Sequence, residues 1–283
     1  MRFLSSYTLR LGLIAFASAP VVHSQEPAGN VMDYTNLATP SVGDNALRVL
    51  TPTLLELRQL NTKAPDPAQV PSWNLVDANG AFVAPATTEV AVTVNGLSDA
   101  VTAIGFRRRP FYAPLNNYDL RIDNALYLQL AAPVADGQSV VVTNPDETIW
   151  PASVIFSLAA DPLRYSPAIH VNQEGYVPSF PKIAMVGYYL GDMGEMPITT
   201  GSFSIINAST HVVVFRGALV SRLSIGWMIM PLPYQQVYAA DFSSFTTPGE
   251  YQIQVAGMGV SLPFAIDDGI AMAWVRTYAL GMY

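Results

Sequence analysis

The stretch Ile169-His170-Val171-Asn172-Gln173-Glu174-Gly175-Tyr176-Val177-Pro178 decides the fold of the C-terminal half when it is taken with two later segments. The first of these is Asp241-Phe242-Ser243-Ser244-Phe245-Thr246-Thr247-Pro248-Gly249-Glu250-Tyr251. The second is Asp267-Asp268-Gly269, which opens an apolar helical pattern that runs to Tyr283. Between the first two segments, short apolar runs alternate with turn residues, which indicates a β-sandwich followed by a helix.

Seven strands are predicted within about a hundred residues of this half, which is the density expected of an immunoglobulin-like (Ig-like) sandwich. Their ranges are 169–171, 182–188, 203–207, 211–216, 236–241, 251–255 and 260–266. Tyr251, Ile253 and Val255 face one side of their strand, and glutamines face the other. Because Pro248-Gly249 forces a turn just before it, Tyr251 is predicted to be a tyrosine corner whose hydroxyl bonds a nearby backbone group.

The order of these segments resembles the N-terminal Ig-like domain of family 9 glycoside hydrolases, the cellulases, over roughly residues 166–283. The motif residues that carry the resemblance are Asn172, Gln173, Gly175, Tyr176, Asp241, Gly249 and Tyr251. In that family the Ig-like domain directly precedes an all-helical catalytic barrel. The resemblance therefore implies that this barrel is a partner in cis, that residues 268–283 start its first helix, and that the chain is truncated before the rest of it.

The last segment changes from the period of a strand to that of a helix. Asp267 or Asp268 is predicted to cap the helix, since carboxylates suit the positive end of a helix dipole. Trp274 and Tyr278 give the helix large apolar side chains, and Arg276 is its only charged residue after position 268. The helix is therefore predicted to expose an apolar face unless something covers it.

The N-terminal half is predicted to be a second β-sandwich, over residues 46–161. Val90–Val94 ends at Asn95-Gly96, a strong hairpin signal, and Leu126–Leu130 alternates with the period of a half-buried strand. A proline-containing linker at 162–167 then leads into the second domain at 168–267. The predicted fold class is all-β, with two tandem Ig-like sandwiches and a C-terminal helical stub.

The N-terminus has the pattern of a signal peptide, residues 1–24. Arg2 and Arg10 precede the apolar run Leu11–Ala19, which is too short to span a bilayer. Cleavage is expected after Ser24, and residues 25–45 are expected to be a flexible lead-in. A buried N-terminal helix is the alternative. We therefore expect a secreted or periplasmic protein with no membrane segment in its mature form.

Composition excludes several function classes. The net charge of −7 and the pI near 4.8 argue against nucleic acid as a partner, because phosphates need a basic surface. The absence of cysteine excludes disulfides, thiolate metal sites and a cysteine nucleophile. His170 and His211 lack metal-ligand spacing, while Asp192 and Glu195 are weak candidates for calcium ligands. We expect no metal and no cofactor.

Glycoside hydrolysis requires two carboxyl groups that flank the sugar bond. The resemblance implies that the catalytic base lies in an Asp-Ala-Gly-Asp motif, and this motif is absent. Asp77-Ala78-Asn79-Gly80 is only a superficial likeness in the wrong domain, and it is predicted to be a turn. The chain itself is therefore not expected to be an enzyme, whereas its intact parent is expected to hydrolyse β-1,4-glucan.

The run Arg107-Arg108-Arg109-Pro110-Phe111-Tyr112 contains three of the 14 basic residues. One interpretation is that its arginines bridge to acidic groups of the neighbouring domain or are solvated. The other is an edge that binds polysaccharide. The candidates for sugar or interdomain contact are Arg108, Tyr112, Tyr118 and Trp150.

The preferred function is a non-catalytic accessory region that braces a catalytic barrel. A stand-alone carbohydrate-binding or cell-surface adhesion protein is the alternative function. A hydrolase with an unrecognised site is the third hypothesis.

Overall fold

A computed structural model describes residues 42–62, 73, 75–112, 120–222 and 236–282. The predicted signal peptide and most of the predicted lead-in lie outside these residues. The described part forms two β-sandwich domains followed by one helix, so the predicted all-β fold class is confirmed.

Eight strands are described in the first domain, and they form two antiparallel four-stranded sheets. Their bounds are β1 (Asn45–Thr51), β2 (Leu54–Thr62), β3 (Ala91–Val94), β4 (Leu97–Asp99), β5 (Val101–Tyr112), β6 (Arg121–Leu130), β7 (Ser139–Thr143) and β8 (Phe156–Ala159). The strand orders are β1-β2-β6-β5 and β4-β3-β7-β8. Asn95 and Gly96 join β3 to β4 with φ of 49° and 78°, as the predicted hairpin requires.

The second domain has eight described strands where the sequence predicts seven. Their bounds are β9 (Ile169–His170), β10 (Ile183–Val186), β11 (Ser202–Asn207), β12 (Val213–Ser221), β13 (Tyr238–Asp241), β14 (Gly249–Val255), β15 (Gly259–Val260) and β16 (Phe264–Ile266). The last predicted strand, 260–266, is split into β15 and β16, because Pro263 has no N–H to continue a ladder. His211, predicted to lie in a strand, occupies the preceding turn with a φ of 57°.

The β1-β2-β6-β5 sheet is buried on both faces. Leu55 and Leu57 of β2 point into the core of the first domain, between its two sheets. Leu54 and Tyr127 point the other way and belong to the hydrophobic core of the second domain. Because successive residues of a strand face opposite sides, this split shows that the second domain covers the outer face of the sheet.

Helix α1 (Ile270–Gly281) follows β16 and buries none of its residues within the described part of the chain. Gly269 occupies the N-cap position, so the prediction that Asp267 or Asp268 caps the helix is wrong. Asp267 lies two residues earlier, where its Oδ1 accepts the Gly269 N–H at 2.6 Å. Among the described residues, no helix has the length and apolar character required to cross a bilayer.

Candidate functional site

Two of the four residues predicted to contact sugar or the neighbouring domain have described side chains. Trp150 is only 1% exposed, stacks on Trp73 at 5.5 Å, and its indole N–H donates to the carbonyl of Val154. This corrects the sugar-platform prediction for Trp150, because neither ring face is open to a pyranose. Arg108 Nε donates to Asn124 Oδ1 at 2.8 Å, and its Nη2 donates to the carbonyl of Trp73. Arg108 therefore braces the first domain.

The other two candidates lie partly or wholly outside the described residues. Tyr112 ends strand β5, but its side chain is not described. Tyr118 falls between the described ranges. Sugar contact by these two tyrosines stays a prediction.

The turn from Asn172 to Tyr176 is held by its own side chains. Asn172 Nδ2 donates to the carbonyl of Gly175 at 2.9 Å, and the Asn172 N–H donates to the Tyr176 hydroxyl at 2.9 Å. That hydroxyl in turn donates to the carbonyl of Ile183. Gln173 is exposed at the tip of the turn. The motif therefore ties β9 to β10 and leaves a polar tip in solvent.

Gly175 is the point at which this turn meets the beginning of helix α1. Its φ is +105°, and a Cβ there would lie 2.8 Å from both the carbonyl oxygen of Ala265 and Cδ1 of Ile270. A side chain would therefore be strained and would also overlap the backbone of β16 and the first residue of the helix. Glycine at this position therefore lets the turn pack closely against β16 and the start of α1.

Tyr251 is a tyrosine corner, as the sequence predicts. It is 4% exposed, its hydroxyl donates to the carbonyl of Pro248 at 3.1 Å, and burial raises its pKa. Gly249 has a φ of +151°, and a Cβ there would lie 2.7 Å from the Tyr251 hydroxyl. Asp241 Oδ1 accepts the Ser243 N–H at 2.8 Å, and hydrogen bonds from Ser243 lower the pKa of Asp241. These motif residues have structural positions.

A buried carboxylate, Glu56, lies at the contact between the two domains. It is 0% exposed, and its Oε2 accepts from Arg48 Nη1 at 3.0 Å. Its Oε1 accepts from the Tyr188 hydroxyl at 2.7 Å and from Arg107 Nη2 at 3.4 Å. Burial and the Glu56 charge raise the pKa of Tyr188 to about 12, so its hydroxyl stays a donor at neutral pH. We call Arg48, Glu56, Arg107 and Tyr188 the interdomain cluster.

The arginine run makes different contacts from one residue to the next. Arg107 donates to the carbonyl of Tyr189 at 3.1 Å as well as to the Tyr188 hydroxyl, so it does bridge to the second domain. Its acidic partner, Glu56, belongs to its own domain. Arg109 pairs with Asp123, also in the first domain, at 2.9 Å. The prediction that these arginines bridge to acidic groups of the neighbouring domain is therefore corrected. The groups of the second domain that accept from Arg107 are a backbone carbonyl and a tyrosine hydroxyl.

Arg164, within the predicted linker, also contacts both domains. Its Nε donates to the carbonyl of Val49 at 2.8 Å, and its Nη2 donates to the carbonyl of Gly257 at 2.5 Å. A cavity of about 260 Å³ opens beside it, with Arg216 and Asp136 among its lining residues. Asp136 is the one carboxylate among these described lining residues, so the cavity lacks the pair that glycoside hydrolysis needs.

The residues considered for metal binding make ordinary hydrogen bonds. His170 Nε2 lies 3.0 Å from the carbonyl oxygen of Gly187. Asp192 Oδ1 accepts the Phe106 N–H, and Glu195 Oε2 accepts the Gln236 N–H at 2.7 Å. Within the ranges that the structure describes, no group of three or more histidine, aspartate or glutamate side chains is placed to hold a metal ion. Asp77 binds the N–H groups of Asn79 and Ala81, which confirms the predicted turn there and lowers the pKa of Asp77.

Comparison with protein families matches residues 164–260 to the cellulase N-terminal Ig-like domain. Most of the second domain is therefore similar to a cellulase N-terminal Ig-like domain. The match covers the turn at Asn172, the tyrosine corner at Tyr251 and the segment that contacts the first domain. A comparison with curated proteins finds no match.

Three solved structures are similar to part of the chain. "Bacteroides ovatus GH9" is 31% identical over 38% of this chain and 16% of its own, with a TM-score of 0.29. A metagenome-derived glycoside hydrolase family 9 endoglucanase is 35% identical over 35% of this chain and 17% of its own, with a TM-score of 0.29. A thermostable endoglucanase variant from Alicyclobacillus acidocaldarius is 19% identical over 38% of this chain and 16% of its own, with a TM-score of 0.27. The matched part thus spans about a sixth of the length of these proteins.

Helix α1 leaves the Ig-like domain with its apolar side chains in solvent. Trp274 is 54% exposed and Tyr278 is 61% exposed, and their rings stack at 5.5 Å. Met272 and Leu280 are still more exposed, at 71% and 67%. Contiguous apolar surface of this kind is typical of an interaction site. It lies at the same end of the domain as Gly175.

The sequence reasoning missed Glu56 and Tyr188 altogether. The signal that would have found Glu56 is the run Leu54-Leu55-Glu56-Leu57, in which leucines occupy both faces of β2. A strand that is apolar on both faces is covered on both faces, so a carboxylate within it must have buried partners. No comparable local signal marks Tyr188, which lies between Gly187 and Tyr189.

Proposed function

We propose that this chain is the non-catalytic N-terminal accessory region of a secreted family 9 glycoside hydrolase. Its role is to brace a helical catalytic barrel that follows it in cis. The observation that carries the proposal is the family match over residues 164–260, joined to an exposed apolar helix that starts against Gly175. An Ig-like domain followed by a helix with exposed apolar side chains suits packing against a further domain.

The intact protein is proposed to hydrolyse β-1,4-glucan outside the cytoplasm. The family match to a cellulase N-terminal domain supports the substrate class, and the signal-peptide pattern at residues 1–24 supports export. The alternative of a stand-alone carbohydrate-binding or adhesion protein needs an exposed aromatic platform. Buried Trp150 does not supply one, and the family match over residues 164–260 favours the accessory role.

The purified mature chain is expected to release no reducing sugar from soluble cellulose, because the sequence lacks the Asp-Ala-Gly-Asp motif of the family. A reducing-sugar assay measures this, with material from a strain that lacks the gene as the blank. Activity that purifies with the chain and falls in the Asp136→Asn variant would overturn the non-catalytic role. The coding sequence beyond Tyr283 gives a second measurement. An in-frame Asp-Ala-Gly-Asp motif supports the proposal, and unrelated sequence favours the stand-alone alternative.

Removing residues 271–283 is expected to leave both sandwiches folded and to make the protein more monomeric. The deletion removes no buried residue among those that the structure describes. It keeps Ile270, which lies beside the Gly175 turn. Sedimentation equilibrium on the two chains measures association, and circular dichroism checks the fold. The full-length double variant Trp274→Ser and Tyr278→Ser should match the shortened chain. Unfolding of the shortened chain would show instead that the helix stabilises the Ig-like domain.

A further inference from the structure

We infer that the outer face of the β1-β2-β6-β5 sheet is a dedicated docking surface for residues 187–196 of the Ig-like domain. The two sandwiches then unfold as one cooperative unit. This assigns a role to the first domain, for which neither the family match nor the sequence provides one. The role is independent of whether a catalytic barrel follows.

The apolar part of this surface belongs to the core of the other domain. Leu50, Leu54, Ala125 and Tyr127 come from the first domain and are at most 2% exposed, yet they pack in the hydrophobic cluster of the Ig-like domain. Leu190 and Met196, within the docked segment, are in the same cluster. Separating the domains would return these side chains to water, which opposes independent unfolding.

The polar part of the surface is the buried carboxylate of Glu56, which accepts a hydrogen bond from the docked segment. Glu56 has no solvent exposure, so each of its acceptor sites must be met by protein donors. Arg48 and Arg107 come from the first domain, but the shortest bond, at 2.7 Å, comes from the hydroxyl of Tyr188. Undocking therefore breaks the closest contact of a buried carboxylate.

Glycines on both sides permit the close approach of the two backbones. A Cβ on Gly105 would overlap the side chain of Met193. A Cβ on Gly191 would overlap the carbonyl group of Phe106, and Gly191 has a φ of +67°. The N–H of the same Phe106 donates to Asp192. The fit is therefore specific to this segment, and it leaves no room on this part of β5 for a polysaccharide.

Gly191→Ala and Gly194→Ala in the full chain test the inference as a matched pair. Both glycines lie in the docked segment with positive φ, +67° and +75°, so alanine strains the backbone at either position. Only Gly191 approaches the first domain, since nothing lies within 4 Å of a Cβ on Gly194. Hydrogen exchange of the Phe106 amide should be about tenfold faster in Gly191→Ala than in Gly194→Ala. Urea unfolding should show one transition in the wild type and two in Gly191→Ala.

Equal exchange rates of the Phe106 amide in the two variants, or two separate transitions in the wild-type chain, would overturn the inference. If Gly191→Ala does not fold, Tyr188→Phe provides the test, because it removes only the hydroxyl bonded to Glu56. Tyr189→Phe is its control, since Tyr189 is 45% exposed and contacts Arg107 through its backbone carbonyl. Faster exchange at Phe106 in Tyr188→Phe alone supports docking. Identical exchange in the two tyrosine variants contradicts it.

Discussion

Glu56→Ala is expected to lower the free energy of unfolding by about 3–5 kcal/mol, the usual cost of breaking a buried ion pair by removing one partner. The substitution leaves Arg48 and Arg107 facing each other without the carboxylate that both bind, in a region where their side chains are only 15% and 16% exposed. It also leaves the Tyr188 hydroxyl without its acceptor. Urea denaturation followed by circular dichroism measures the loss.

Two further variants test whether the expected loss depends on the charge of Glu56 and on its burial. Glu56→Gln keeps the volume and one carbonyl acceptor for Tyr188 but removes the charge, so it should cost less than the alanine variant. Glu250→Ala removes an exposed glutamate of β14 and should change the free energy of unfolding by no more than about 0.5 kcal/mol. If Glu56→Ala and Glu250→Ala have the same urea midpoint, Glu56 is not the buried partner described above.

Features that depend on chain neighbours could be predicted from the sequence. The Asn95-Gly96 hairpin follows from two residues that tolerate positive φ, and both adopt it. The corner at Tyr251 follows from Pro248-Gly249 three and two positions earlier, and the hydroxyl reaches Pro248. The helical period of α1 follows from side chains three and four positions apart, and the helix forms at Ile270–Gly281. In each case the deciding contacts lie within a few residues.

Features that depend on distant parts of the chain could not be predicted. Glu56 and Tyr188 are 132 residues apart, and no local pattern connects them. Adjacent arginines of one strand point to opposite faces, so Arg107 meets the Ig-like domain while Arg108 lies over the ring of Phe106 in the first domain. Three adjacent arginines therefore suggest a single basic patch in the sequence, but in the structure their side chains lie on opposite faces of the strand.

Trp150 shows the same limit for aromatic residues. A tryptophan near other aromatics is consistent with a sugar-binding platform and with a core, because both use the same large apolar rings. Its burial depends on Trp73 and Phe156, which flank it at 5.5 Å and 5.4 Å. Trp73 is 77 positions earlier in the chain, a separation that the pattern around residue 150 does not encode.

Trp150→Ala is expected to lower the free energy of unfolding by about 3–5 kcal/mol, since it removes a fully buried indole and leaves a cavity beside Trp73 and Phe156. The hydrogen bond from its Nε1 to the carbonyl of Val154 is lost as well. Trp274→Ala is the matched control, because Trp274 is 54% exposed on α1 and should cost no more than about 0.5 kcal/mol. Urea denaturation compares the two, and affinity electrophoresis in soluble glucan measures binding. A sugar platform at residue 150 would give the reverse result, with binding lost and stability kept, because an exposed ring contributes to ligand contact and little to the core.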